Sequence, residues 1–210
     1  MIPLVHDFSD ERVLVFGGGN VGARKARRFD HEATVFVVSP SFEGADFGEG
    51  RLVRAHPTPD TVGDWIDWVD PVLVVIATDD SSLNDAIDSA ARDRSILRNR
   101  ADRAGSRGFG NVIVPATVRD GPVLTAVSTE GTSPVVSRHV REQLEATIEG
   151  AGKMAILTGE LREELSGAER EGALRSVVES EEVWKALDSE GAKSRQVAKD
   201  VIDDVTGEMP

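Results

Sequence analysis

Along the first hundred positions apolar residues fall in short runs, each closed by glycine, proline or a hydroxyl and acid cluster, with helically spaced segments between them. The first run, Arg12-Val13-Leu14-Val15-Phe16, stops at Gly17-Gly18-Gly19-Asn20-Val21-Gly22 and passes into Ala23-Arg24-Lys25-Ala26-Arg27-Arg28-Phe29. That pattern predicts strand, glycine turn, helix. A second strand at 33–38 ends at Ser39-Pro40 and completes a βαβ unit with a parallel pair. A short strand is expected at 51–55 and a helix at 61–68. The run 71–77 is so uniformly apolar that helices should cover both of its faces. Thr78-Asp79-Asp80-Ser81 then supplies an N-cap cluster for a helix over 83–92, and 96–98 is the next strand.

Beyond residue 100 the pattern changes. Segments 112–118 and 122–128 flank Arg119-Asp120-Gly121 and read as an antiparallel hairpin closed by an Asp-Gly turn. Ser133-Pro134 opens a long helix through Val140 and Leu144, with proline suited to the first turn. The stretch 151–210 is rich in Ala, Glu and Lys with helical period. The expected architecture is α/β: a Rossmann-like doubly wound parallel sheet in 1–110, a small α+β segment of hairpin and long helix in 111–150, and a helical C-terminal domain in 151–210.

Composition narrows the function classes. At 40% hydrophobic residues the chain can bury a core, and no apolar run approaches the ~18 residues of a membrane span. The first residues lack the basic and long apolar regions of a secretory signal, so a cytoplasmic location is expected. With no cysteine, disulfides, thiolate metal sites and a Cys nucleophile are excluded. The net charge of −13 disfavours nucleic acid and anionic membranes as partners. Arg outnumbers Lys 19 to 5 and acids are spread along the chain, a pattern that suits the salt-rich cytoplasm of a halophilic archaeon.

Three segments carry candidate chemistry. Gly17-x-Gly19-x-x-Gly22 between strand and helix is a dinucleotide fingerprint: tight turn, room for a pyrophosphate, close helix–strand packing, and a positive helix end facing the phosphates. Where an acid would bind the ribose hydroxyls, Ser39 stands. Glu43 and Asp46 follow with no Arg or Lys before Gly50, which favours NAD over NADP. Arg98-Asn99-Arg100-Ala101-Asp102-Arg103-Ala104-Gly105-Ser106-Arg107 sets four arginines around one aspartate at a core strand's end, either a salt-bridged loop or a receptor for an anionic substrate. Ser128-Thr129-Glu130-Gly131-Thr132-Ser133-Pro134 offers hydroxyls and backbone N–H groups to carboxylates, or caps the long helix. His6, His31, His56 and His139 have no metal-ligand spacing and read as surface or packing residues, so no metal site is expected.

These motifs together resemble the siroheme synthase N-terminal family, the precorrin-2 dehydrogenases that in some members also insert Fe²⁺ into sirohydrochlorin. The resemblance covers roughly residues 2–165 and rests on Ile2-Pro3-Leu4, on 15–27 with its Gly22-Ala23-Arg24-Lys25-Ala26, on 76–84, on Val114-Pro115-Ala116, and on 127–135. It implies NAD as cofactor, a tetrapyrrole substrate, and a homodimer built on the hairpin and long helix. It also implies a catalytic aspartate shortly after the Asn that follows the fifth core strand, which Asn99 and Asp102 match. An aspartate of ordinary pKa, about 3.9, is ionised at neutral pH and can accept a proton. The chain departs from the family nearby, carrying Gly110-Asn111-Val112 where Cys-Asp-Phe is usual. The implied cofactor residues are Gly17, Gly19, Asn20, Val21, Gly22, Ser39, Thr78 and Asp79. The implied substrate residues are Asn99, Arg100, Ser128, Thr129, Gly131, Thr132 and Ser133. A nucleotide-sensing regulatory domain is the alternative; it would need the glycine turn but not Asp102 or the hydroxyl loop.

Overall fold

The computed structural model describes residues 2–42, 44–101, 111–167, 170–188 and 191–207. The chain forms two compact units, 1–114 and 115–210. In the first, β1 (Arg12–Phe16), β2 (Thr34–Ser39), β3 (Arg51–Arg54), β4 (Leu73–Ile76) and β5 (Leu97–Arg100) make a sheet of order β3-β2-β1-β4-β5. All four pairings are parallel. The connections are α1 (Asn20–Phe29), α2 (Val62–Val69) and α3 (Ser81–Asp93).

The sheet is covered on both faces because its central strands are apolar through Val13–Phe16 and Leu73–Ile76. Val13, Leu14, Val15 and Phe16 are fully buried, as are Val74, Val75 and Ile76. Alternation divides them between two cores. Val13 and Val15 join Ala23, Ala26 and Phe29 of α1, whereas Leu14 and Phe16 join Ile66 of α2 and Ile87 of α3. The carboxyl ends of the strands are tied into one edge by ladder bonds that run past the strands: Gly17 N to Val38 O, Ala77 N to Phe16 O, Ala55 N to Ser39 O and Ala101 N to Ile76 O, all 2.9–3.1 Å. Ligands bind at that edge in open α/β sheets.

The second unit begins with β6 (Ala116–Asp120) and β7 (Val123–Val127), an antiparallel hairpin in which Asp120 pairs with Val123. The turn is therefore Gly121-Pro122, with Gly121 at φ 53°, rather than Asp120-Gly121. Glycine at the first central position is what a II′-class hairpin favours. Asp120 instead accepts a hydrogen bond from Gly152 N at 2.9 Å. The first strand also starts later than 112. Pro115 has no N–H to donate, and the residues before it turn back to β5: Val112 N donates to Arg98 O at 2.7 Å, and Asn111 bridges Arg98 in parallel.

Next come α4 (Pro134–Thr147), capped by Ser133, and then α5 (Ala151–Glu164), α6 (Arg170–Glu179), α7 (Glu181–Ala186) and α8 (Gly191–Thr206). The last four share an apolar core of Met154, Leu157, Leu161, Val177, Val183 and Ile202.

Candidate dinucleotide site

The glycine turn is shaped by neighbours that leave no room for side chains. A Cβ on Gly17, whose φ is 124°, would overlap the Ala77 carbonyl oxygen; one on Gly22 would overlap the Gly17 carbonyl oxygen. A Cβ on Gly18 would overlap the Ser41 carbonyl oxygen and come within 2.6 Å of Ser39 Oγ. Gly19 is the N-cap of α1 and has no side chain to cap it, so the cap supplies no side-chain acceptor to the N–H groups of the first turn at Asn20, Val21 and Gly22. An anion at that end satisfies them and meets the positive end of the helix dipole.

Gly17, Gly18 and Gly19 form part of the wall of a cavity of about 430 Å³, with Ser39 at the end of β2, Ser41 and His56 beyond β2 and β3, and Thr78 and Asp79 beyond β4. A cradle from which side chains are sterically excluded, opening onto an uncapped helix, fits the diphosphate of a dinucleotide.

The wall after β4 is fixed by a residue that the sequence reading did not assign to the site. Thr78 Oγ1 donates to Asn84 Oδ1 at 2.6 Å, and Asn84 Nδ2 donates back to the Thr78 carbonyl at 2.9 Å. Asn84 is 1% exposed on α3, whose N-cap Asp80 accepts from Ser82 N and Leu83 N. Thr78 is thus committed to the loop, while Asp79 is exposed on the cavity wall. The sequence signal for Asn84 is an amide at a position where the helical period demands an apolar residue.

The arginine patch resolves in part. Arg98 and Arg100 are 4% and 5% exposed and face α3: Arg98 Nε donates to Asp88 at 3.0 Å, and Arg100 donates to Asp85 at 2.9 Å. Asn99 points to the other face, where its amide donates to the Val112 carbonyl at 2.9 Å and fixes the return of the chain after 110. Asp102, Arg103 and Arg107 lie outside the described residues.

The hydroxyls of Ser128, Thr129 and Ser133 serve the loop itself. Thr129 Oγ1 contacts Ser137 Oγ at 3.0 Å and accepts from Ser133 N; Ser128 Oγ accepts from Glu130 N; Ser133 Oγ accepts from Val136 N. Thr132 N donates to Thr129 O, and Glu130 and Gly131 both take positive φ. Among the described residues there is no group of three His, Asp or Glu placed to share a metal ion.

Sheet order, glycine cradle and open helix end define a dinucleotide-binding Rossmann protein. Residues 4–116 match the family described as putative NAD(P)-binding. Over 96% of its length the chain is 32% identical to a precorrin-2 dehydrogenase of Methanosarcina barkeri, 93% of which is covered, and it belongs to the precorrin-2 dehydrogenase family. It is also 33% identical to siroheme synthases of Pseudomonas entomophila and Pseudomonas putida, of whose length it spans 44%. The solved structure of SirC, a precorrin-2 dehydrogenase, superposes with a TM-score of 0.70 at 23% identity, covering 96% of this chain and 98% of that one, so the fold is shared.

Proposed function

We propose that this chain oxidises precorrin-2 to sirohydrochlorin with NAD as oxidant. The observation that carries the reading is the side-chain-free cradle at the open end of α1, in a chain similar to a precorrin-2 dehydrogenase over 96% of its length. Gly17, Gly18, Gly19 and the first-turn N–H groups of α1 hold the diphosphate, and Asn84 holds the Thr78 wall against it. When bound, NAD supplies a hydride acceptor.

The substrate loses a hydride and a proton, so one protein group must take the proton. We assign that to Asp102, which follows directly on Ala101, whose N–H is tied to Ile76 at the carboxyl edge of the sheet. Arg98 and Arg100 are excluded as free receptors for the substrate because α3 already holds them.

The protein works as a homodimer in a salt-rich cytoplasm. The dimer is supported by α4, fourteen residues long without one buried side chain and with Val135 78% and Val136 49% exposed; the setting is supported by the charge of −13. The test of the reaction is anaerobic incubation with precorrin-2 and NAD. Sirohydrochlorin and NADH formed in equal amounts support it, and substrate left unchanged overturns it.

A further inference from the structure

We infer that Ser41 and His56 read the 2′ position of the adenosine ribose, and that the site accepts a 2′-phosphorylated dinucleotide alongside NAD. This rests on the cofactor reading above. In this fold the ribose lies beyond the end of the second strand, where an acid chelates its hydroxyls and repels a 2′-phosphate. Here β2 ends in Ser39, which is 6% exposed, with its Oγ packed against Gly18 beneath the turn. The polar side chains next outward on the cavity wall are Ser41 and His56, both exposed. Register brings the two together: Ser39 pairs with Arg54 across the parallel β2–β3 ladder, and Ala55 N donates to Ser39 O at 3.0 Å, so residue 56 emerges beside the 40–41 turn.

Of the acids that the sequence offered for excluding a 2′-phosphate, Asp46 is not on this wall. Asp46 is bound to Arg27 and to Gly48 N, and Glu43 lies outside the described residues. The carboxylates that do line the cavity, Asp79 and Asp80, follow β4, on the far side of β1 from β2, and Asp80 caps α3. A serine hydroxyl and an imidazole N–H can donate to a ribose hydroxyl or to a phosphate oxygen alike. A carboxylate could only accept from a ribose hydroxyl and would repel a phosphate.

The test is calorimetric titration of the full chain with NAD⁺ and with NADP⁺, for the wild type, His56→Ala and His56→Asp. His56 is exposed, so neither change threatens the fold. We expect NADP⁺ to bind the wild type within about tenfold of NAD⁺. His56→Ala should shift selectivity at least fivefold toward NAD⁺, and His56→Asp about a hundredfold, the range for losing a hydrogen bond to a charged group and then replacing it with repulsion. Wild-type NADP⁺ binding a hundredfold or more weaker than NAD⁺, or equal losses for both dinucleotides in His56→Ala, would overturn the inference. Binding of neither dinucleotide to the wild type would overturn the cofactor reading itself, and this inference with it.

Discussion

An added side chain separates the two tasks of the glycine turn. At Gly22 it would strike the backbone of Gly17, so Gly22→Ala should destabilise the first unit by on the order of 3 kcal/mol, read as a lowered melting temperature. At Gly19, which already serves as an N-cap without a side chain, Gly19→Val should leave a folded protein that has lost NAD binding by about a hundredfold, because the side chain stands where the diphosphate approaches. A Gly19→Val protein with wild-type affinity would show that the diphosphate binds elsewhere. Asp102 is tested in the same way. Asp102→Asn keeps the shape and removes the basicity, so turnover should fall by about a hundredfold with NAD affinity unchanged. If the aspartate merely pairs with a neighbouring arginine on a solvated loop, the rate should barely move.

At the level of elements, the α3 N-terminus shows how the site is braced. Asn84 closes two hydrogen bonds onto Thr78, and Asn84→Ala leaves the Thr78 carbonyl and hydroxyl without those partners. The expected cost is about 1–3 kcal/mol, with a raised KM for NAD and little change in kcat. An unchanged KM would mean that this loop does not support the cofactor. Element order in the first unit was legible because β1, β2 and β4 are built on short apolar runs and the breaks carry glycine, proline or a capping cluster: Gly17 to Gly22, Ser39-Pro40 and Asp80 all act where the pattern placed them. The hairpin turn was misread because Asp-Gly is the stronger local signal, while tertiary structure ties Asp120 to Gly152 and moves the turn one residue on. The arginine cluster was ambiguous because the charges that neutralise Arg98 and Arg100 sit ten and fifteen residues back on α3, at Asp88 and Asp85, beyond any local pattern. His56 was invisible as a site residue because only the pairing of β2 with β3 brings it beside Ser41.

At the scale of the whole molecule, charge and oligomeric state make separate predictions. With 37 acidic residues against 24 basic, the folded chain repels itself at low ionic strength, so its melting temperature and activity should both rise as salt approaches molar concentration. Maximal stability in dilute buffer would contradict the salt-rich setting. The proposed dimer would use the exposed valines of α4, so Val135→Glu should convert a dimer to a monomer in sedimentation; a wild-type monomer would contradict the proposal outright. The central claim is the reaction. Anaerobic precorrin-2 and NAD mixed with the wild-type chain should yield one NADH for each sirohydrochlorin, followed as paired absorbance changes of macrocycle and nicotinamide. Tight NAD binding with no NADH formed, under conditions where the substrate remains intact, would contradict the account and leave a dinucleotide-sensing protein in place of a dehydrogenase.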